Sequence, residues 1–144
     1  MAENTCMYCK GNEDLVSMML PICEVDGFQL YLHKNQTYLG RSVLAYNEHV
    51  GTVAEMDPEK CRNFFAAAQK VTRAITEVLN PGQINLGMYA DKVRHAHIHI
   101  APKYEGGPDW GSVFQMNPLP EKHLTEAEYA DLIAKIKAAI EKIG

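Results

Sequence analysis

Residues 95–101 read His-Ala-His-Ile-His-Ile-Ala, and this strict alternation constrains the chain more than any other feature. A strand sends successive side chains to opposite faces. Period two therefore puts His95, His97 and His99 on one side, about 6.5–7 Å apart in sequence along the backbone. Ala96, Ile98 and Ile100 take the other side and need a surface to pack against. Three titratable rings on one face are costly as core, so that face is expected to carry chemistry. Two chemistries use such a row. His-x-His on a strand can present nitrogen ligands to a metal. A neutral imidazole, available near pH 7 because its ordinary pKa is about 6.5, can also displace a leaving group from phosphorus. His33 and His123 each stand alone and are read as structural.

The remaining pattern supplies a partner for the apolar side. Phe28 to His33 alternates like a strand after Asp26-Gly27, the favoured pair for a two-residue hairpin turn. Leu15 to Glu24 reads as extended, and Ser42 to Tyr46 as a third strand. Asp57-Pro58-Glu59 has the capping residue, the proline and the acid of a helix start. Phe64, Ala67, Ala68, Val71, Ile75, Val78 and Leu79 then recur at helical spacing up to the breaker Asn80-Pro81-Gly82. Ile84 to Tyr89 and Ala96 to Ala101 are two more strands, joined by a turn around Ala90 to Lys92. A Pro- and Gly-rich loop over 102–123 follows. A second helix then opens at Thr125, with Glu128 completing a capping box. The sum is an α+β fold of about five mostly antiparallel strands in one sheet with two helices. No linker or repeat divides residues 1–144, so one domain is expected.

Composition narrows the ligand. The net charge of −4 does not favour nucleic acid polymers, whereas Lys92, Arg94 and Lys103 around the histidines suit a small phosphorylated molecule. No apolar run approaches the roughly 20 residues that span a bilayer. Glu3 and Asn4 stand where a secretory signal would be basic and then apolar, so a cytoplasmic location is the default. Reduced cysteines follow from that location. Cys23 and Cys61 read as small core residues, while Cys6 and Cys9 have the C-x₂-C spacing that lets two thiolates grip one ion.

At this point the chain resembles the histidine triad superfamily, whose pattern is His-φ-His-φ-His-φ-φ with φ apolar. Asn85-Leu86-Gly87 stands where the family has Asn-x-Gly. Gly40-Arg41-Ser42-Val43-Leu44 followed by Glu48-His49-Val50 resembles its glycine-led strand and His-Val turn, and the likeness runs over about residues 6–104. Residues 105–144 add the loop and last helix. The resemblance implies a nucleotide hydrolase or nucleotidyl transferase related to adenosine phosphoramidases and dinucleoside polyphosphate hydrolases. In it His97 would attack the α-phosphorus to form a covalent nucleotidyl-histidine. His99 would hydrogen-bond the phosphate oxygens or the bridging atom, Asn85 would contact phosphate or ribose, and a backbone carbonyl near His95 would orient the nucleophile. No metal touches the substrate in that mechanism. Relatives usually carry Gln and then Ser or Thr four residues before the first triad histidine; here Asp91 and Lys92 stand there, and of the two only Lys92 can donate to a phosphate.

The branch of the superfamily that includes galactose-1-phosphate uridylyltransferase pairs two cysteines with two histidines. By that resemblance Cys6, Cys9, His49 and His95 would hold a structural zinc ion. Homodimers are common in the superfamily, and Trp110 could cover the site, a partner's site, or pin its own loop. Two other readings use the same residues. In one, His95, His97 and His99 hold a catalytic metal; in the other, the chain is a nucleotide-binding or zinc-stabilised module without turnover.

Overall fold

The computed structural model describes residues 5–144; Glu3 and Asn4 lie outside the described residues. Five strands form one antiparallel sheet in the order β1-β2-β3-β5-β4: β1 Met19–Val25, β2 Phe28–His33, β3 Ser42–Ala45, β4 Gln83–Gly87 and β5 His97–Lys103. The α+β class expected from the sequence is what the chain adopts. Asp26 (φ 52°) and Gly27 (φ 90°) both take positive φ, the geometry that lets a two-residue turn follow the twist of β1 and β2.

Two long helices cover one face. In α3, Pro58–Leu79, the Asp57 carboxylate accepts from the Lys60 amide at 3.0 Å, and Asn80 ends the helix in the left-handed region. In α4, Glu126–Ile143, Thr125 and Glu128 form the reciprocal capping box. Phe64, Ala67, Val71 and Ile75 of α3 and Leu132, Ile136 and Ile140 of α4 are buried in one core with Leu30, Leu44, Ile98 and Ile100 of the sheet. The apolar side of β5 thus finds its partner.

The opposite face holds what the sequence did not disclose. Residues expected to be irregular or extended form two short helices, α1 Met7–Lys10 and α2 Glu13–Met18, so β1 starts at Met19 and not at Leu15. Asn12 caps α2 by accepting from the amides of Asp14 and Leu15, with Glu13 and Asp14 in its first turn. Leu15 then packs with Met7, Met19 and Val43, a cluster that two extended residues per face would not reach. The connection from β4 to β5 is also longer than a turn and runs from Met88 to Ala96. Among the described residues no helix is long and apolar enough to cross a membrane.

The long segment after β5 is tied to the loop between β2 and β3. The Asn35 amide donates to the Pro118 carbonyl at 3.1 Å, the Gln36 amide N–H to the Lys122 carbonyl at 2.7 Å, and Tyr38 bonds the Asp109 carboxylate. Trp110 lies against Gly82 of the same chain, so it pins its own loop.

Candidate active site

Antiparallel register decides which side chains share the face of His97 and His99. Val43 lies opposite His99 and Ala45 opposite His97, while Tyr31 lies opposite Val43. One step further the His33 amide bonds the Arg41 carbonyl at 3.0 Å, which places His33 and Arg41 on the same face. Across β4, Gly87 lies opposite His99 and Asn85 opposite Ala101.

A cavity of about 660 Å³ opens over this face, lined by His33, His97, His99, Lys92, Tyr8 and Phe114 among others. That volume suits a nucleotide-sized ligand. Asp91 and Lys92 both line it, so the two residues that depart from the usual pattern lie where a ligand would meet them. Asn85 does not line it. Asn85 lies instead with Lys103, Trp110 and Ser112 around an adjacent cavity. Sequence reasoning missed His33, whose Nδ1 accepts from the Asn35 amide at 3.1 Å. The signal was there only in combination: its parity on β2 and a register that the sequence does not print. His123 stays at the surface, 3.2 Å from Glu121.

The three triad rings are nearly covered, at 3%, 5% and 6% exposure, yet each is held differently. His97 Nδ1 lies 2.5 Å from the His95 carbonyl. A carbonyl only accepts, so the ring proton is on Nδ1 and Nε2 keeps its lone pair. Burial lowers the His97 pKa from its usual value, opposed by that hydrogen bond. His99, with ring centroid 4.9 Å from that of His97, is pushed down to about 2 by burial and by the neighbouring His97 and Arg41. His33 is pushed down to about 3, again chiefly by burial. All three imidazoles are neutral at pH 7.

His95 turns away from this pair. Its Nε2–H donates to the Tyr46 carbonyl at 2.6 Å, leaving Nδ1 unprotonated toward the cysteines. Cys6 Sγ and Cys9 Sγ each lie 3.4 Å from His95 Nδ1, and Cys9 Sγ lies 3.3 Å from His49 Nδ1. The four ligand atoms fall within 4.8 Å of one another. A tetrahedral ion with Zn–S near 2.3 Å and Zn–N near 2.0–2.1 Å sets its ligand atoms about 3.3–3.8 Å apart. Two thiols and two imidazoles with this spacing fit such an ion. The backbone explains the convergence: the Ala96 amide bonds the Val50 carbonyl at 2.7 Å, which clamps the His49-Val50 turn beside His95. His97 and His99 lie outside this group. All four cysteines of the chain are thiols, and Cys23 and Cys61 pack half-buried against the main core.

The same cysteine pair shapes the cavity. Tyr8, between the cysteines, places its ring 5.4 Å from that of His95 and 4.9 Å from that of His97.

The sequence model of the HIT domain matches residues 22–106, more than half of the chain. The chain belongs to the histidine triad (HIT) family. Protein hit of Bacillus subtilis is 29% identical over 122 residues, covering 79% of this chain and 81% of the relative. The fold matches the crystal structure of a histidine triad protein from Sinorhizobium meliloti with a TM-score of 0.79 at 21% identity, covering 96% and 99% of the two chains. It also matches a Zn-bound histidine triad family protein from Mycobacterium smegmatis, with a TM-score of 0.68 at 19% identity over 99% and 97%. This HIT chain therefore has the nucleotide-binding, hydrolase or transferase fold of its family.

Proposed function

We propose that this HIT protein hydrolyses, or transfers the nucleotidyl group of, a nucleoside phosphoramidate or dinucleoside polyphosphate through His97. The observation that carries the reading is the hydrogen bond from His97 Nδ1–H to the His95 carbonyl, made at the wall of a nucleotide-sized cavity. Nε2 is then the nucleophile. Its lone pair attacks the α-phosphorus as the bond to the leaving amine or phosphate breaks, and the leaving atom takes up a proton from solvent water, which the water attacking in the second step gives back. Water next attacks the phosphorus, the P–Nε2 bond breaks, and the nucleotide is released with the imidazole restored. His99 donates to the phosphate oxygens or the bridging atom, and Lys92 supplies a positive charge at the cavity rim. Asn85, in the adjacent cavity, would reach only a more distant part of the substrate.

Cys6, Cys9, His49 and His95 are proposed to hold zinc, in line with their spacing and with the zinc in the Mycobacterium smegmatis relative. Zinc there supplies a structural clamp and no Lewis acid. The residues themselves then fix His95, and Tyr8 between the cysteines braces the ring of His97. The same reading takes the protein as a cytoplasmic homodimer acting on small nucleotides. The open edge of β4, with Leu86 half exposed, supports sheet-to-sheet pairing.

The test is a quenched reaction with radiolabelled adenosine phosphoramidate, run beside a panel of guanosine phosphoramidates and dinucleoside polyphosphates. Label trapped on His97 and lost in His97→Ala is expected. Tight binding with no turnover on any of the panel would overturn the catalytic reading in favour of a binding module.

A further inference from the structure

Among the described residues Arg41 is the largest fully buried side chain, with 0% exposure, and it lies on the histidine face of the sheet. A guanidinium so placed ordinarily meets a carboxylate, because an uncompensated buried charge is costly. Among the described residues no acid pairs with it. Nη1 donates to the Met116 carbonyl at 2.8 Å, Nη2 faces Met116 Sδ at 3.3 Å and His99 Nδ1 at 3.5 Å, and Nε has no partner. The Phe114 ring lies 5.8 Å from its central carbon. Packing alone would be served by a methionine or leucine without the charge. The polar partners of the guanidinium are the Met116 carbonyl and His99, and of these only His99 belongs to the triad.

That contact has a definite sign. Every nitrogen of a guanidinium donates and none accepts, so the imidazole nitrogen facing it must be the one without a proton. A neutral ring then carries its proton on the other nitrogen. For His97 the logic runs in reverse, since its Nδ1 meets a carbonyl that only accepts. Two rings with centroids 4.9 Å apart are thereby held in opposite tautomers, one showing a lone pair and its neighbour an N–H.

We propose that Arg41 is a positioning residue that fixes His99 as its neutral Nε2–H tautomer, so that His99 donates a hydrogen bond to the phosphoryl group or departing atom while His97 Nε2 attacks. The inference rests on the reading of His97 as nucleophile. In the attack the electron pair of the breaking bond goes to the leaving atom. The His99 N–H stabilises the charge gathering there without adding a full positive charge to the nucleophile's surroundings. Arg41 never touches substrate. The charge of Arg41 also opposes protonation of His99, which keeps the ring a donor at one nitrogen and not at two.

The experiment compares the zinc-loaded wild-type chain with Arg41→Met and Arg41→Lys. Long-range proton–nitrogen NMR correlations, assigned by loss of the signal in His99→Gln, read the His99 tautomer directly. The wild type is expected to show only Nε2–H, Arg41→Met a mixed or Nδ1–H ring, and Arg41→Lys the wild-type tautomer. With adenosine phosphoramidate, Arg41→Met should lower kcat about 10- to 100-fold with KM changed less than about threefold, and Arg41→Lys should recover most of that loss. An Nδ1–H ring in the wild type overturns the proposal whether or not any variant folds. An unchanged tautomer and kcat in folded Arg41→Met overturn it too, while label on His97 leaves the catalytic reading standing. If the wild type neither turns over nor traps label, the catalytic reading fails, and the tautomers alone decide what Arg41 does.

Discussion

Gly87→Ala puts a methyl group where two rings already meet. Gly87 lies opposite His99 on β4, and a Cβ there would stand 2.8 Å from Tyr89 Cε2 and 3.0 Å from Phe114 Cζ. Comfortable carbon contacts lie near 3.5–4.0 Å, so each ring must retreat by about 0.5–1 Å. Tyr89 is half exposed and can swing outward at little cost. Phe114 is buried against Tyr38 and Ala101 and resists. Overpacking of this kind costs about 1–3 kcal/mol, and with one of the two rings able to yield we expect about 1–2 kcal/mol. A urea m-value of about 2 kcal/mol/M turns that into a midpoint lower by roughly 0.5–1 M with m unchanged. Both rings also wall the cavity beside His99, so KM for a nucleotide substrate should rise while kcat moves less. Tyr89→Ala in the same chain removes one clash and should return part of the stability. A Gly87→Ala chain that unfolds at the wild-type midpoint would show that the glycine is not there to make room for the rings.

Three further outcomes follow from sites already described. His33 and His99 are neutral in the fold, pushed down to about 3 and about 2, but take up protons in the unfolded chain below about pH 6.5. The unfolded chain therefore binds more protons as pH falls from 6.5 toward 3, and stability should drop by up to about 1.4 kcal/mol per pH unit for each ring. Urea midpoints at pH 7 and pH 5 should differ, and less so in His99→Asn; equal slopes for the two chains would refute the assignment. Thr125→Ala loses the bond from the Glu128 amide to the threonine hydroxyl, while the backbone N–H at 125 keeps its bond to the Glu128 carboxylate, and should cost about 1 kcal/mol, read as a lower melting temperature. Cys9→Ser removes a sulfur that faces both His49 and His95, so elemental analysis should show zinc falling well below about one ion per chain; undiminished zinc would move the metal elsewhere.

Helix starts, the hairpin and the functional strand were legible because their chemistry is local. Asp57-Pro58, Thr125 with Glu128, and Asp26-Gly27 each satisfy backbone groups within a few residues, and each stands where the sequence places it. The alternation of residues 97–100 likewise carries its own geometry, whereas His95, expected in the same row, lies just before β5 and turns its ring toward the cysteines. The helices α1 and α2 were not legible, since four and six residues are too few for a periodic stripe and are held by Asn12 and by Leu15 packing on Val43. His33 and Arg41 were missed for a different reason. Their roles depend on which residues of β2, β3 and β5 stand side by side, and strand register is a property of pairs of segments. Asn85 illustrates the same limit: a residue two positions along β4 from Gly87 opens onto a different cavity.

β5 serves two masters with a single stretch of backbone. A slip of one residue would drive the imidazoles into the layer of Leu44 and Val71 and lift Ile98 and Ile100 into the nucleotide's place, so folding correctly and being able to react are one and the same requirement here. Along this strand even one inserted residue would be read at once as loss of both.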